Sequence, residues 1–147
     1  MRFMAIVKAN KDTEAGVLPS KELLKAMTDF NEEMVKAGVL LAGEGLHQSS
    51  KGARVRFSGA KRTVIDGPFA ETKELVAGFW LLQVKSKEEA IEWIKRSPAP
   101  MGPGVDAEIE IRQVFEASDF PADIFPPEEA AREQALFDEA KRRAAKR

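Results

Sequence analysis

Gly78-Phe79-Trp80-Leu81-Leu82-Gln83-Val84 is the most apolar strand-length stretch of the chain. A run of this length, opened by glycine and closed by Lys85-Ser86, suits a strand covered on both faces. Such a strand belongs in the interior of a sheet, so the rest of the chain has to supply its neighbours and its cover. Phe3 to Val7 is short, apolar and partly β-branched, and reads as a second buried strand. Val39-Leu40-Leu41-Ala42 reads as a third and ends in the flexible Gly43-Glu44-Gly45. Ala107 to Val114 alternates apolar and polar residues with period two, the mark of a strand with one wet face.

Helices separate these strands. Asn10 to Gly16 reads as a polar loop, after which Pro19-Ser20 opens a helix with Ser20 as N-cap. Leu23, Leu24, Met27, Phe30, Met34 and Val35 recur at helical spacing on one face. Gly38 follows the last turn, where glycine takes positive φ without a Cβ clash. Ser86-Lys87-Glu88-Glu89 is a capping box that opens a second helix, with Ala90, Ile91 and Ile94 on one face and a stop before Pro98. A last helix runs from about Pro127. Glu128 and Glu129 in its first turn and Lys141, Arg142 and Arg143 near its end match the helix dipole. Between the third strand and the central one lies a hairpin. Arg54-Val55-Arg56-Phe57 alternates, Ser58 to Lys61 turns, Thr63-Val64-Ile65 returns, and Asp66-Gly67-Pro68 breaks the strand.

With the hairpin set aside, the order is βαββαβ, the ferredoxin-like arrangement, an α+β fold with helices on one face of its sheet. Phe79 or Trp80, Leu81 or Leu82, and Ile109 and Ile111 would be wet on the other face. A second copy of the chain is the simplest cover, so a homodimer is expected. The tail, with Phe120, Ile124, Phe125, Leu136 and Phe137, either joins that interface or folds back on its own subunit.

Composition narrows the chemistry. Cys is 0 and His is 1. That excludes a disulfide scaffold, a zinc ribbon and a cysteine nucleophile, and leaves His47 as the one histidine for any triad. Lys+Arg 23 against Asp+Glu 24 makes the net charge −1, so the chain is not globally basic. No apolar run approaches the roughly 20 residues of a membrane span. The start, Met1 to Lys8, runs at once into charge, so no membrane partner and a cytoplasmic location are expected. Glycine spacing matches neither a P-loop nor a dinucleotide fingerprint, and no cofactor is implied.

Asp66-Gly67-Pro68-Phe69-Ala70-Glu71-Thr72-Lys73-Glu74 concentrates carboxylates, an ammonium and a hydroxyl between two strands. These groups either converge on a pocket as acid, base and ligand anchors, or make a turn, with Asp66 capping its own backbone and the rest solvated. His47, just past Gly45-Leu46, is either a general base oriented by Asp66 or Glu71, or a loop histidine without a role. One histidine among carboxylates has no diagnostic metal spacing, so no metal site is expected. Lys51, Arg54, Arg56, Lys61 and Arg62 form a basic patch that reads as a solvated hairpin face, next as a grip for an anionic small molecule, and only then as a nucleic-acid surface.

Asp66-Gly67-Pro68-Phe69 also carries a resemblance. With Ala42 to Leu46, Gly78-Phe79, Glu88-Glu89-Ala90, Glu92-Trp93 and Ile109 to Arg112, it resembles the YCII-related proteins of the DGPF-domain family. The resemblance covers about Met1 to Val114. It implies a YCII-related domain over residues 1–116, built as a dimeric α+β barrel of ferredoxin-like subunits, with 117–147 a linker and helical extension. The broader relatives carry a His-Asp pair that this chain lacks. Its first helix has no histidine, and Ser97-Pro98 stands at the matching Asp-Pro step. What carries over is the loop: Asp66 with His47 as catalytic candidates, and Glu44, Glu71, Lys73 and Glu74 as ligand-binding candidates. Two functions follow as expectations. One is a homodimeric small-molecule-binding protein or cofactor-free acid–base enzyme of the elimination or isomerisation class, taking a small anionic metabolite held by Lys73. The other is a non-catalytic ligand-binding or regulatory interaction module.

Overall fold

In the computed structural model, which describes residues Met1–Arg147, the chain runs β1 (Arg2–Lys8), α1 (Lys11–Glu14), α2 (Lys21–Lys36), β2 (Leu40–Gly45), β3 (Ala53–Ser58), β4 (Lys61–Asp66), β5 (Val76–Gln83), α3 (Lys87–Lys95), β6 (Ile109–Gln113) and α4 (Pro127–Ala144). β1, β2, β5 and β6 pair antiparallel in the order β2-β5-β1-β6. That is the strand order of a ferredoxin-like βαββαβ fold. β5 has a neighbour on each side, as its apolar sequence requires. The chain divides into two units, Met1–Val114 and Phe115–Arg147.

The helix ends follow the local chemistry. Ser20 Oγ accepts from the Leu23 N–H at 3.1 Å, and Gly38 takes φ +72 just past α2. Ser86 Oγ accepts from the Glu89 N–H, but the Glu89 carboxylate reaches the Lys85 N–H at 2.7 Å, so the box is shifted by one residue. The expected loop at Asn10 to Gly16 contains the short α1. Asn10 Oδ1 accepts from the Thr13 N–H and Thr13 Oγ1 accepts from the Asn10 N–H, a reciprocal cap that nucleates the turn. The punctuation expected at Gly43-Glu44-Gly45 is instead the second half of β2, laddered to β5.

Register decides which residues are covered. Phe3 and Ala5 of β1 and Trp80 and Leu82 of β5 share the face that meets Phe30 and Met34 of α2 and Ala90 of α3. Met34 and Leu82 are fully buried at the centre of that core. Trp80 meets Phe30 edge-on at 5.7 Å. Ile109 and Ile111 pair with Val7 and Ala5 and pack against this same core, which corrects their expected place on the uncovered side. Met4, Ile6, Phe79 and Leu81 occupy that other face, away from α2 and α3. At its β6 side Glu110 lies 3.5 Å from Lys8 and 3.2 Å from Arg112. The hydrogen bond from Arg112, then the charge of Lys8, hold the Glu110 carboxyl below the usual carboxylate range.

β3 and β4 form a separate 2-stranded sheet, exposed along its whole length. Val55 pairs with Val64, and Phe57 with Arg62, whose guanidinium lies 4.5 Å over the Phe57 ring. Arg62 thus leaves the face that carries Arg54 and Arg56, and the basic patch is split between two faces. In the unit Phe115–Arg147, Phe120 lies tilted against Phe115 at 5.0 Å and meets Phe125 edge-on at 5.8 Å. α4 buries none of its residues and is laced by ion pairs such as Glu139 with Arg142 and Arg143. No helix is long and apolar enough to cross a membrane.

Candidate functional site

Glycines make the room for a site. Gly43 and Gly45 of β2 pair with Trp80 and Gly78 of β5, on the face that strands normally fill with side chains packed under a helix. The indole of Trp80 occupies the place above Gly43, where a Cβ would stand 2.8 Å from Trp80 Cδ1. At Gly78 the strands themselves are close, and a Cβ would stand 2.8 Å from the Glu44 carbonyl oxygen. At Gly45 a Cβ would meet nothing within 4 Å. The space so left is a cavity of about 440 Å³ between α2 and the β2–β5 side of the sheet. Ligand pockets run roughly 300–1,000 Å³, so the volume suits a small molecule.

The wall is mostly apolar, with Leu23 and Met27 of α2 facing Val7 and Trp80 of the sheet. Asn10, Asp12 and Thr13 border it from the α1 end. Trp80 Nε1–H donates to Asn31 Oδ1 at 2.8 Å, which leaves the Asn31 amide NH₂ as a donor pair. Gln48 and His47 enter from the segment that follows β2. No lysine or arginine lines the cavity. A second, more open hollow is bordered by Glu14, Lys51 and Phe69 and shares Leu46, His47 and Gln48 with the first. The strip Leu46 to Gln48 is therefore a wall common to both.

The residues singled out from sequence fall in different places. His47 lines both hollows and is exposed; no hydrogen bond or ion pair joins it to Asp66 or Glu71. Glu44 borders the cavity, while strand alternation turns its side chain toward the opposite face, beside Phe79. Asp66 ends β4 opposite Ala53 and is exposed, with its carboxylate bonded neither to its own turn nor to a cation. Glu71 lies 3.8 Å from Arg54, whose guanidinium also sits 3.8 Å over the Phe69 ring. Lys73 and Glu74 stand exposed in the 3₁₀ turn Thr72–Glu74. Asp66, Glu71, Lys73 and Glu74 line neither hollow. No group of three or more His, Cys, Asp or Glu residues is arranged to hold a metal ion.

The Asp66-Gly67-Pro68-Phe69 stretch has a different local role. Gly67 donates to the Gly52 carbonyl at 3.0 Å, and a Cβ on Gly67 would stand 1.8 Å from the Ser49 carbonyl oxygen. Only glycine lets these backbones approach so closely. Asn31, Gln48, Gly45 and Gly78 belong to the site although nothing in the sequence singles them out alone. Their signal is the pair of glycines two apart in β2 with a third in β5, which becomes legible only once the register places them on one face.

A 94-residue stretch, 62% of this chain, is 31% identical to an uncharacterised protein of Rhizobium meliloti (strain 1021) and spans 76% of that protein. The solved structure of 5-chloro-2-hydroxyhydroquinone dehydrochlorinase (TftG) from Burkholderia phenoliruptrix AC1100, in complex with 2,5-dihydroxybenzoquinone, is 12% identical, with a TM-score of 0.44 over 82% of this chain and 100% of that one. That likeness is too remote to bear on ligand or chemistry. Residues 1–117 match the YCII-related domain, so the chain belongs to the YCII-related family.

Proposed function

We propose that this chain is a small-molecule-binding protein whose ligand occupies the glycine-lined cavity between α2 and the sheet. The observation that carries the reading is the space at Gly45, an exposed position on the helix side of the edge strand β2 with nothing within 4 Å. A concave hollow of this size, mostly apolar and with a few polar groups beside a core tryptophan, has the form that small-molecule sites take. The wall selects its chemistry. Leu23, Met27 and Trp80 suit an apolar body, and the Asn31 amide and Gln48 supply oriented polar contacts. Without lysine or arginine in the wall, an uncharged ligand fits better than the anion that Lys73 suggested, because a buried anion needs a paired cation.

His47 supports a second reading, a cofactor-free acid–base enzyme. Histidine is the side-chain type suited to proton transfer near neutral pH, and this one stands on the cavity wall. Homodimerisation completes the proposal. Met4, Ile6, Phe79 and Leu81 form an apolar sheet face away from both long helices, and a second copy supplies its cover. The test is a thermal-shift screen against uncharged and anionic metabolites of pocket size. A ligand present at 100 times its Kd adds about 2.7 kcal/mol, a shift of several degrees. Hits among uncharged molecules, lost in a Gly45→Leu variant, are expected. A silent screen, or hits indifferent to that variant, overturns the reading.

A further inference from the structure

Two residues past His47, a polar strut crosses from α1 to the Asp66-Gly67-Pro68-Phe69 turn. The Ser49 N–H donates to Glu14 Oε2 at 2.9 Å, and the Ser49 hydroxyl donates to Glu14 Oε1. The same hydroxyl oxygen accepts from the Phe69 N–H at 3.1 Å. Glu14 is half-buried and ion-paired with no lysine or arginine, so both of its oxygens are committed to Ser49. Reserving a partly buried carboxylate for one serine is unusual, since such groups normally take a cation or several N–H donors. The capped first turn of α1 holds Glu14 in turn, through its N–H to the Asn10 carbonyl at 3.1 Å. On the other side of the strip the Leu46 N–H donates to the Ala77 carbonyl at 2.8 Å. His47 and Gln48 are thus suspended between two anchors, with Gly67 pressed against the Ser49 peptide behind them.

We propose that Ser49 is a positioning residue. Together with Glu14 and the Gly67–Phe69 backbone, it fixes the Leu46–Gln48 strip and so holds His47 at the wall of the cavity. The Asp-Gly-Pro-Phe sequence then serves the site through its backbone: glycine for the close approach, and the Phe69 N–H for the bond to Ser49. This inference rests on the proposal that the cavity is the ligand site, but its geometry is testable without a ligand.

His47 is the chain's one histidine, so its imidazole signals in a ¹³C,¹⁵N-histidine-labelled sample report this position alone. The Trp80 indole N–H, bonded to Asn31 across the cavity, serves as the control for the fold. In Ser49→Ala the His47 backbone amide and imidazole signals are expected to move from their native positions, while the Trp80 signal stays in place. Ser49→Thr, which keeps the hydroxyl, is expected to restore the native His47 signals. Amide exchange at residues 47–51 in Ser49→Ala is expected to accelerate by roughly tenfold to a hundredfold, the loss of a charge-assisted bond. Native His47 signals in Ser49→Ala overturn the proposal. If Ser49→Ala also displaces Trp80, Glu14→Ala, which spares the Ser49–Phe69 bond, takes its place: displaced His47 signals uphold the proposal and native ones overturn it. The ligand screen fails separately. A silent screen beside displaced His47 signals leaves the strut standing and removes only the cavity's assignment.

Discussion

The glycines of the cavity differ in what surrounds them, and that difference sets opposite outcomes for similar substitutions. At Gly45, φ lies outside the left-handed region and a Cβ meets nothing within 4 Å, so leucine enters without backbone strain. Full burial of a leucine side chain is worth about 1.5–3 kcal/mol. Replacing glycine restricts the unfolded chain for about another 0.4–1 kcal/mol, and ordering the leucine costs about 0.5–1 kcal/mol. The cavity is open to solvent, so the low end applies, a net gain of about 1 kcal/mol. For a chain of this size that raises Tm by roughly 3–5 °C. At Gly78 a Cβ meets the Glu44 carbonyl at 2.8 Å, and backbone cannot move aside as a side chain can. Gly78→Ala is expected to cost about 1–3 kcal/mol and lower Tm by several degrees. Differential scanning fluorimetry, with titration of a screened ligand, reads both variants. Gly45→Leu is expected to be at least as stable as the parent and to lose the ligand. If it is destabilised as much as Gly78→Ala, or keeps full affinity, the space at Gly45 is not what the geometry implies.

Asp66→Asn is expected to change neither Tm nor ligand affinity, because the carboxylate has no partner and lines neither hollow; a loss of affinity in an unshifted melt restores the expected catalytic role. Gly67→Ala is expected to lower Tm more than Gly78→Ala, since its Cβ would stand 1.8 Å from the Ser49 carbonyl oxygen. In sedimentation or light scattering the parent is expected to have the mass of a dimer and Leu81→Glu that of a monomer; a monomeric parent refutes the cover proposed for the open sheet face. Glu110 is held below its ordinary value of 4.5 by Arg112 and Lys8. Its contribution is therefore present above the unfolded-state pKa and lost as pH falls through the folded one, and Glu110→Gln is expected to flatten the acid limb of Tm against pH.

Much of the fold is legible in local sequence signals. The apolar run at Gly78 to Val84, the caps at Ser20 and Ser86 and the glycine after α2 each mark their element within a residue or two. The order βαββαβ then admits few sheet topologies. Facing is a pairing property and is less legible. Ile109 and Ile111 alternate identically whichever face is covered, and only their register against Val7 and Ala5 turns them inward. The site is hidden for a related reason. Charged residues at Asp66 to Glu74 draw attention in a sequence, whereas this cavity depends on a missing side chain at Gly45 and on the close approaches that Gly43 and Gly78 allow. Arg54 shows how side-chain chemistry is absorbed elsewhere: its guanidinium stacks on Phe69 and pairs with Glu71, joining the hairpin to the loop.

The most direct test is amide and indole shift mapping of the ¹⁵N-labelled protein during titration with a screened ligand. Perturbations are predicted to cluster at the Gly43, Gly45 and Gly78 amides, the Asn31 side-chain NH₂ and the Trp80 indole. Perturbations confined to Asp66 to Glu74, or to the β3–β4 hairpin, would contradict the assignment of the ligand to the cavity beneath α2.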